Sequence, residues 1–184
     1  MKIIKSKVIP VERDDVDTDL IIPADYLKIT DKRGLGQHLF ERIAKDINLE
    51  SYSGRSIMIA GSNFGCGSSR EHAAWALYDF GVRVVIASSF ADIFYNNALK
   101  NGILPLVCGG GQELFAYEGE LEVDLEKQNF SYGANTFSFE IDAYSKTCLI
   151  EEIDDLDYLF ENIEAIKAFD EQRRKNLFFD LSKL

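Results

Sequence analysis

The densest chemistry in the chain lies in GSNFGCGSSREHAAWALYDFG, Gly61 to Gly81. Ser68-Ser69-Arg70-Glu71 fits a capping box, with Ser68 as N-cap and Glu71 at the third helical position. Gly65 and Gly67, just ahead of it, let the backbone come close to a ligand. Arg70 then falls in the first helical turn, against the positive end of the helix dipole. A cation there asks for a compensating anion, which a bound carboxylate or phosphate would supply. Cys66, between two glycines, offers a thiol near a helix start, but only His38 and His72 exist as bases to activate it. It reads more simply as a small turn residue. A nucleophile, an anion cradle and a plain helix cap all remain open from these residues alone.

Several better-known sites fail on spacing. Gly65-Cys66-Gly67 runs into Ser-Ser-Arg, so the dinucleotide fingerprint is missing, as is the Gly-Lys-Ser/Thr of a Walker loop. A hydrolase elbow would need glycine where Arg70 or Glu71 stands. Asp15, Asp17 and Asp19 alternate like calcium ligands. However, Leu20 takes the place of the required glycine and Tyr26 that of the bidentate glutamate. These carboxylates read as Asx turns, with Asp17 or Asp19 also able to orient Arg70.

The elements that must carry the motif follow from periodicity. RSIMIAG is a buried strand, SREHAAWALYDFG a helix closed by Gly81, and VRVVIASS a β-branched strand; ADIFYNNALKNG is a second helix and ILPLVC a third strand. Strand–helix–strand–helix–strand implies a parallel sheet with right-handed crossovers, and sites in such sheets sit at the carboxyl ends of strands. Upstream, KIIKSKVIPV reads as one strand ended by Pro10, and a helix is expected from about Gln37. After the glycines at Gly109 to Gly111, ELEVDLEKQNFSYGANTFSFEIDAY alternates like antiparallel strands with a GAN turn. Leu156, Leu159, Phe160, Ile163 and Ile166 then mark an amphipathic C-terminal helix, acidic first and basic last.

At 184 residues and 46% apolar content, the chain is expected to be one soluble unit, with a core to about 118 and an extension over about 119–184. A net charge of −11 argues against nucleic acid or an anionic membrane as partner. No apolar run approaches a membrane span and no signal peptide is read, so cytoplasm is the expected location. Cys66, Cys108 and Cys148 lie far apart with no Cys-x-x-Cys, so this chain alone is expected to build neither a disulfide framework nor an iron–sulfur site.

GSNFGCGSSREHAAWAL, with DVDTDLIIPADYL before it and VVIASSFADIFYNNALKNGILPL after it, closely resembles the aconitase superfamily, above all its isopropylmalate-isomerising small subunits. The likeness runs through FSFEIDAYSKTCLIEEIDDLDYL, nearly the whole chain. It implies an α/β fold: a single swivelling β/β/α domain over 1–184, with a parallel βαβαβ centre, a β-hairpin and a helix extension. It implies a hydro-lyase acting in leucine biosynthesis, interconverting 2-isopropylmalate and 3-isopropylmalate by dehydration and rehydration. No cofactor is expected in this chain; a [4Fe-4S] cluster is expected in a partner large subunit. Ser68 would be the general base, and Ser69 and Arg70 would bind a substrate carboxylate. The segment ADYLKITDKRGLG would lie over the site, with Lys28 and Arg33 as cations and Leu27, Ile29 and Leu35 as apolar candidates. Asp17, Asp19, Gly65 and Gly67 would support it. Homoaconitate or citraconate/methylmalate chemistry, and a non-catalytic anion-binding module, stand as alternatives.

Overall fold

Apolar residues that alternate along four short strands face two different cores, and this alternation builds the layers. The computed structural model describes residues 2–109 and 112–181. The first apolar run is not one strand. β1 (Ile3–Ser6) buries alternate residues, β2 (Val8–Val11) is buried on both faces, and Lys7 lies between them. β1 joins an antiparallel sheet and β2 a parallel one. Pro10 does not end β2, because β2 is an edge strand and Pro10 needs no outward N–H there.

α1 (Thr18–Ile21) follows. The helix expected from Gln37 is instead a pair of 3₁₀ turns, Gly36–His38 and Glu41–Ile43. Phe40 separates them at φ 53°, a left-handed conformation no α-helix accommodates; its N–H donates to the Ile21 carbonyl while its ring is buried.

The centre follows the periodicity: β3 (Ile57–Ala60), α2 (Glu71–Phe80), β4 (Val84–Ala87), α3 (Asp92–Lys100) and β5 (Leu104–Val107). The parallel sheet runs β2-β3-β4-β5. β3 and β4 are buried throughout, as a covered parallel sheet demands. Ile9, Met58 and Val85 face a helical layer with α2 and α3; Val8, Ile57, Ile59, Val84 and Ile86 face the other way.

After α4 (Gln112–Phe115), β6 (Leu121–Asp124), β7 (Asn129–Tyr132) and β8 (Asn135–Ser138) extend β1 into a second sheet of order β1-β6-β7-β8. Its Ile4, Leu121, Val123 and Phe130 pack on that second face of the parallel sheet. Helices, parallel sheet and antiparallel sheet are thus three layers, and each fully buried Ile or Leu contributes about 1.5–3 kcal/mol to holding them. Gly133 carries the β7–β8 turn; Gly110 and Gly111 lie outside the described residues.

The expected extension is divided. β6 to β8 and α5 (Ala143–Glu151) belong to the first compact unit, which ends at Glu152. Residues 153–184 form a second unit. It contains α6 (Asp155–Glu161), capped reciprocally by Asp154 and Asp157, and α7 (Ile163–Leu181), with the break at Asn162. The expected single C-terminal helix is therefore two, and its periodic apolar residues are exposed. No helix of the described residues is long and apolar enough to cross a membrane.

Candidate active site

The glycine-rich stretch leaves the carboxyl end of β3 and is fastened to residues 16–18, which lead into α1. Phe64 is buried and meets the Phe94 ring edge-on at 5.1 Å. Gly65 N–H donates to the Val16 carbonyl at 2.7 Å, and Thr18 N–H to the Cys66 carbonyl at 2.9 Å. Gly65 and Gly67 sit at φ 78° and 85°; a Cβ on Gly65 would also overlap the Phe94 ring. Asp17 caps α1, accepting from Asp19 N–H at 2.9 Å and Leu20 N–H at 2.7 Å. Thr18 Oγ1 donates to the Ser68 carbonyl at 3.0 Å. Two segments fifty residues apart thereby fix the Ser68 backbone.

The capping box expected at Ser68 does not form. α2 begins at Glu71 with Arg70 as N-cap, and no side chain bonds its free N–H groups. The chain is still extended at Arg70 (φ −130°, ψ 104°), so Ser68 stands a residue pair short of the helix and Glu71 is its first residue rather than its third. Two consequences follow. Ser68 and Ser69 are exposed and, among the described residues, their hydroxyls have no partner. The Glu71 and His72 N–H groups likewise donate to nothing among the described residues, as at an uncapped helix start.

Arg70 finds its compensating anion within the chain. Asp19 Oδ1 accepts from Arg70 Nη1 at 2.6 Å, and the other Asp19 oxygen pairs with Arg42, a residue the sequence motif did not single out. Asp19 also accepts from the Ala24 N–H at 3.0 Å. Two guanidiniums against one carboxylate leave this spot one positive charge in excess, in a chain that is strongly acidic overall. Asp17 does not take part in this pairing; its carboxylate is engaged by the α1 cap. Burial, and then the nearby Asp17 and Asp15 charges, push the Cys66 thiol above its ordinary pKa, so it is a protonated turn residue.

The covering segment is less gathered. Lys28 ends the 3₁₀ turn Ala24–Lys28, exposed and without an ion pair among the described residues. Arg33 is 88% exposed and turned onto Asp31 at 2.9 Å. Leu27 and Ile29 are each 36% exposed, whereas Leu35 is fully buried in the helix-side core and leaves the set of surface apolar candidates. Beside this segment Tyr26 stacks on His38 at 3.9 Å, and Glu41 accepts from the Tyr26 hydroxyl at 2.7 Å while bonding His38 at 2.9 Å. Those bonds hold the Glu41 carboxyl below its usual range.

The three-layered fold, with its four-stranded parallel sheet, falls in the class of the aconitase C-terminal domain; that family matches residues 1–109. The 3-isopropylmalate dehydratase small subunit of Christiangramia forsetii is 46% identical, over 93% of this chain and 92% of its own length. The one from Francisella tularensis subsp. novicida is 42% identical, over 94% and 97%. A crystal structure of 3-isopropylmalate dehydratase from Methanocaldococcus jannaschii superposes with a TM-score of 0.73 at 34% identity, covering 91% of this chain and 99% of that one. The chain belongs to the 3-isopropylmalate dehydratase small-subunit family, within the aconitase C-terminal domains.

Enzymes of the aconitase type imply an iron–sulfur cluster, and this chain's residues do not fit one. Cys66, Cys108 and Cys148 are each free, and no group of three or more Cys, His, Asp or Glu side chains gathers among the described residues.

Proposed function

We propose that this protein is the small subunit of a cytoplasmic hydro-lyase that interconverts 2-isopropylmalate and 3-isopropylmalate in leucine biosynthesis. It acts only with a large subunit, which carries the [4Fe-4S] cluster. The observation that carries the reading is the exposed Ser68 hydroxyl, without a partner among the described residues, beside an equally unpartnered helix start and an aimed guanidinium.

A serine hydroxyl becomes a base only where its alkoxide is stabilised. The free Glu71 and His72 N–H groups, the positive end of α2 and the excess charge of the Arg70–Asp19–Arg42 group provide that field. As the alkoxide, Ser68 Oγ takes the proton from the carbon next to a carboxylate. The C–H electron pair becomes the double bond as the neighbouring carbon's hydroxyl leaves as water with a second proton. On rehydration Ser68 returns its proton to that neighbouring carbon while water's hydroxyl is added to the first. Arg70 holds that carboxylate through its remaining N–H donors, and Ser69 adds a hydroxyl donor. Asp19 aims Arg70, while Asp17, Gly65 and Gly67 keep the turn in place. Leu27 and Ile29 offer the isopropyl group an apolar patch with Lys28 as a cation at its rim, and Arg33 would join it only by leaving Asp31.

Reconstitution with the native large subunit tests this. Ser68→Ala is expected to lower kcat by a factor of about 10³ or more while dicarboxylate binding stays within about threefold. Near-normal turnover in that variant would remove Ser68 as the base. Tight, Arg70-dependent dicarboxylate binding by the isolated chain, with no turnover in the pair, would favour an anion-binding module. Comparing isopropylmalate, homoaconitate and citraconate as substrates fixes the substrate class.

A further inference from the structure

Residues 29–36 cross α2 as a strap, and the two ends are held differently. At the far end Leu35 and Gly36 are buried, and Asp79 accepts from the Gly34 and Gly36 N–H groups, both at 2.8 Å. The fit is close: a Cβ on Gly36 would lie 2.5 Å from the Phe80 nitrogen. Burial and the two bonds to Asp79 therefore fix that end. In the middle, Lys32 donates to Asn101 at 2.9 Å and lies 5.4 Å from the centre of the Trp75 ring.

The near end has no such burial, since residues 27–33 are exposed. There the Ile29 carbonyl accepts from His72 Nε2 at 2.9 Å, which places the proton on Nε2. The His72 ring in turn lies against Trp75, with ring centres 4.5 Å apart. His72 is two residues after Arg70, so one helix start carries both the carboxylate-binding guanidinium and the tie on the apolar segment.

We propose that His72 is a positioning residue that sets the distance between Ile29 and Arg70, and so decides which side group the enzyme accepts. This rests on the hydro-lyase reading, in which Leu27 and Ile29 face the substrate's side group. The His72 side chain is spent on the Ile29 carbonyl; only its backbone N–H belongs to the helix start beside Ser68. With Lys32 held further along, the single hydrogen bond at Ile29 is strong enough to bias that end of the strap toward one position and weak enough to let it lift for substrate entry.

The test uses two variants of the full chain, assayed with the native large subunit. His72→Phe keeps a ring against Trp75 and removes the donor; His72→Gln returns an amide N–H close to the Nε2 position. In His72→Phe, amide hydrogen exchange over 29–33 is expected to rise about tenfold. KM for isopropylmalate rises by a similar factor while kcat falls by less, because the backbone N–H at position 72 is kept in both variants, and the preference for isopropylmalate over citraconate falls. His72→Gln restores most of all three. Unchanged exchange in His72→Phe overturns the tie. Faster exchange with unchanged KM and preference overturns its role in selection, while the surviving turnover leaves the hydro-lyase reading standing. A wild-type pair that turns over no hydroxy acid overturns the hydro-lyase reading and, with it, this proposal.

Discussion

Asp19→Asn is the most informative single change, because it keeps size and an acceptor for the Ala24 N–H while removing the charge between Arg70 and Arg42. The Arg70 and Asp19 side chains are 17% and 25% exposed. Exposed pairs are worth about 0–1 kcal/mol, and breaking a fully buried one costs about 3–5. A half-buried pair lies between, at about 2 kcal/mol. For a chain of this length that loss lowers Tm by roughly 4–8 °C. It also leaves two guanidiniums side by side, so Arg70 loses its aim, and an ångström of misplacement costs about 10²-fold in kcat/KM. Thermal unfolding of the chain and turnover with the large subunit measure the two effects separately. Adding Arg42→Gln removes the repulsion and should recover about half of the lost stability, with turnover still low. If Asp19→Asn kept kcat/KM within about threefold of wild type, Asp19 would not be aiming Arg70. Full rescue of turnover by Arg42→Gln would mean that charge balance, not orientation, is what Asp19 provides.

Thr18→Val keeps the buried shape but loses the bond to the Ser68 carbonyl; stability should fall by about 1 kcal/mol and kcat by about fivefold, with KM little changed. Gly65→Ala meets both a left-handed backbone and the Phe94 ring, so a loss of about 2 kcal/mol or more is expected in denaturant unfolding. Burial and the neighbouring Asp17 and Asp15 charges favour the neutral Cys66 thiol, so its raised pKa delays ionisation as pH rises. Alkylation of Cys66 should remain slow through the range where a free cysteine ionises, about pH 8–9, and accelerate only above it. Alkylation that followed a small free thiol across that range would contradict the burial argument.

The parallel centre was legible because β-branched runs and a 3.6-residue period are local signals, and the glycine-flanked Ser-Ser-Arg turn is local too. What the sequence hid depends on contacts between distant residues. Arg70 meets Asp19 across 51 positions, and Arg42 joins them without any motif of its own. The capping box misled for a related reason. Thr18 holds the Ser68 carbonyl from another segment, and the chain stays extended through Arg70, so the local preference for starting a helix at Ser68 is overruled. Lys2 to Val11 looked like one strand since the sequence does not reveal that two sheets share it. The left-handed Phe40 broke an expected helix through a bond to Ile21 that no window of sequence contains.

Pro10 and Pro105 occupy the two outermost strands of the parallel sheet, and the Val8 carbonyl on one of those strands already accepts from Arg55. An incoming backbone would find a missing donor on either flank and an occupied acceptor on one. Lateral growth of the parallel sheet is discouraged from both sides, and a second polypeptide has little to gain by zipping alongside it. Approach to this sheet is left to the turns at its strand ends, where the exposed Ser68 lies.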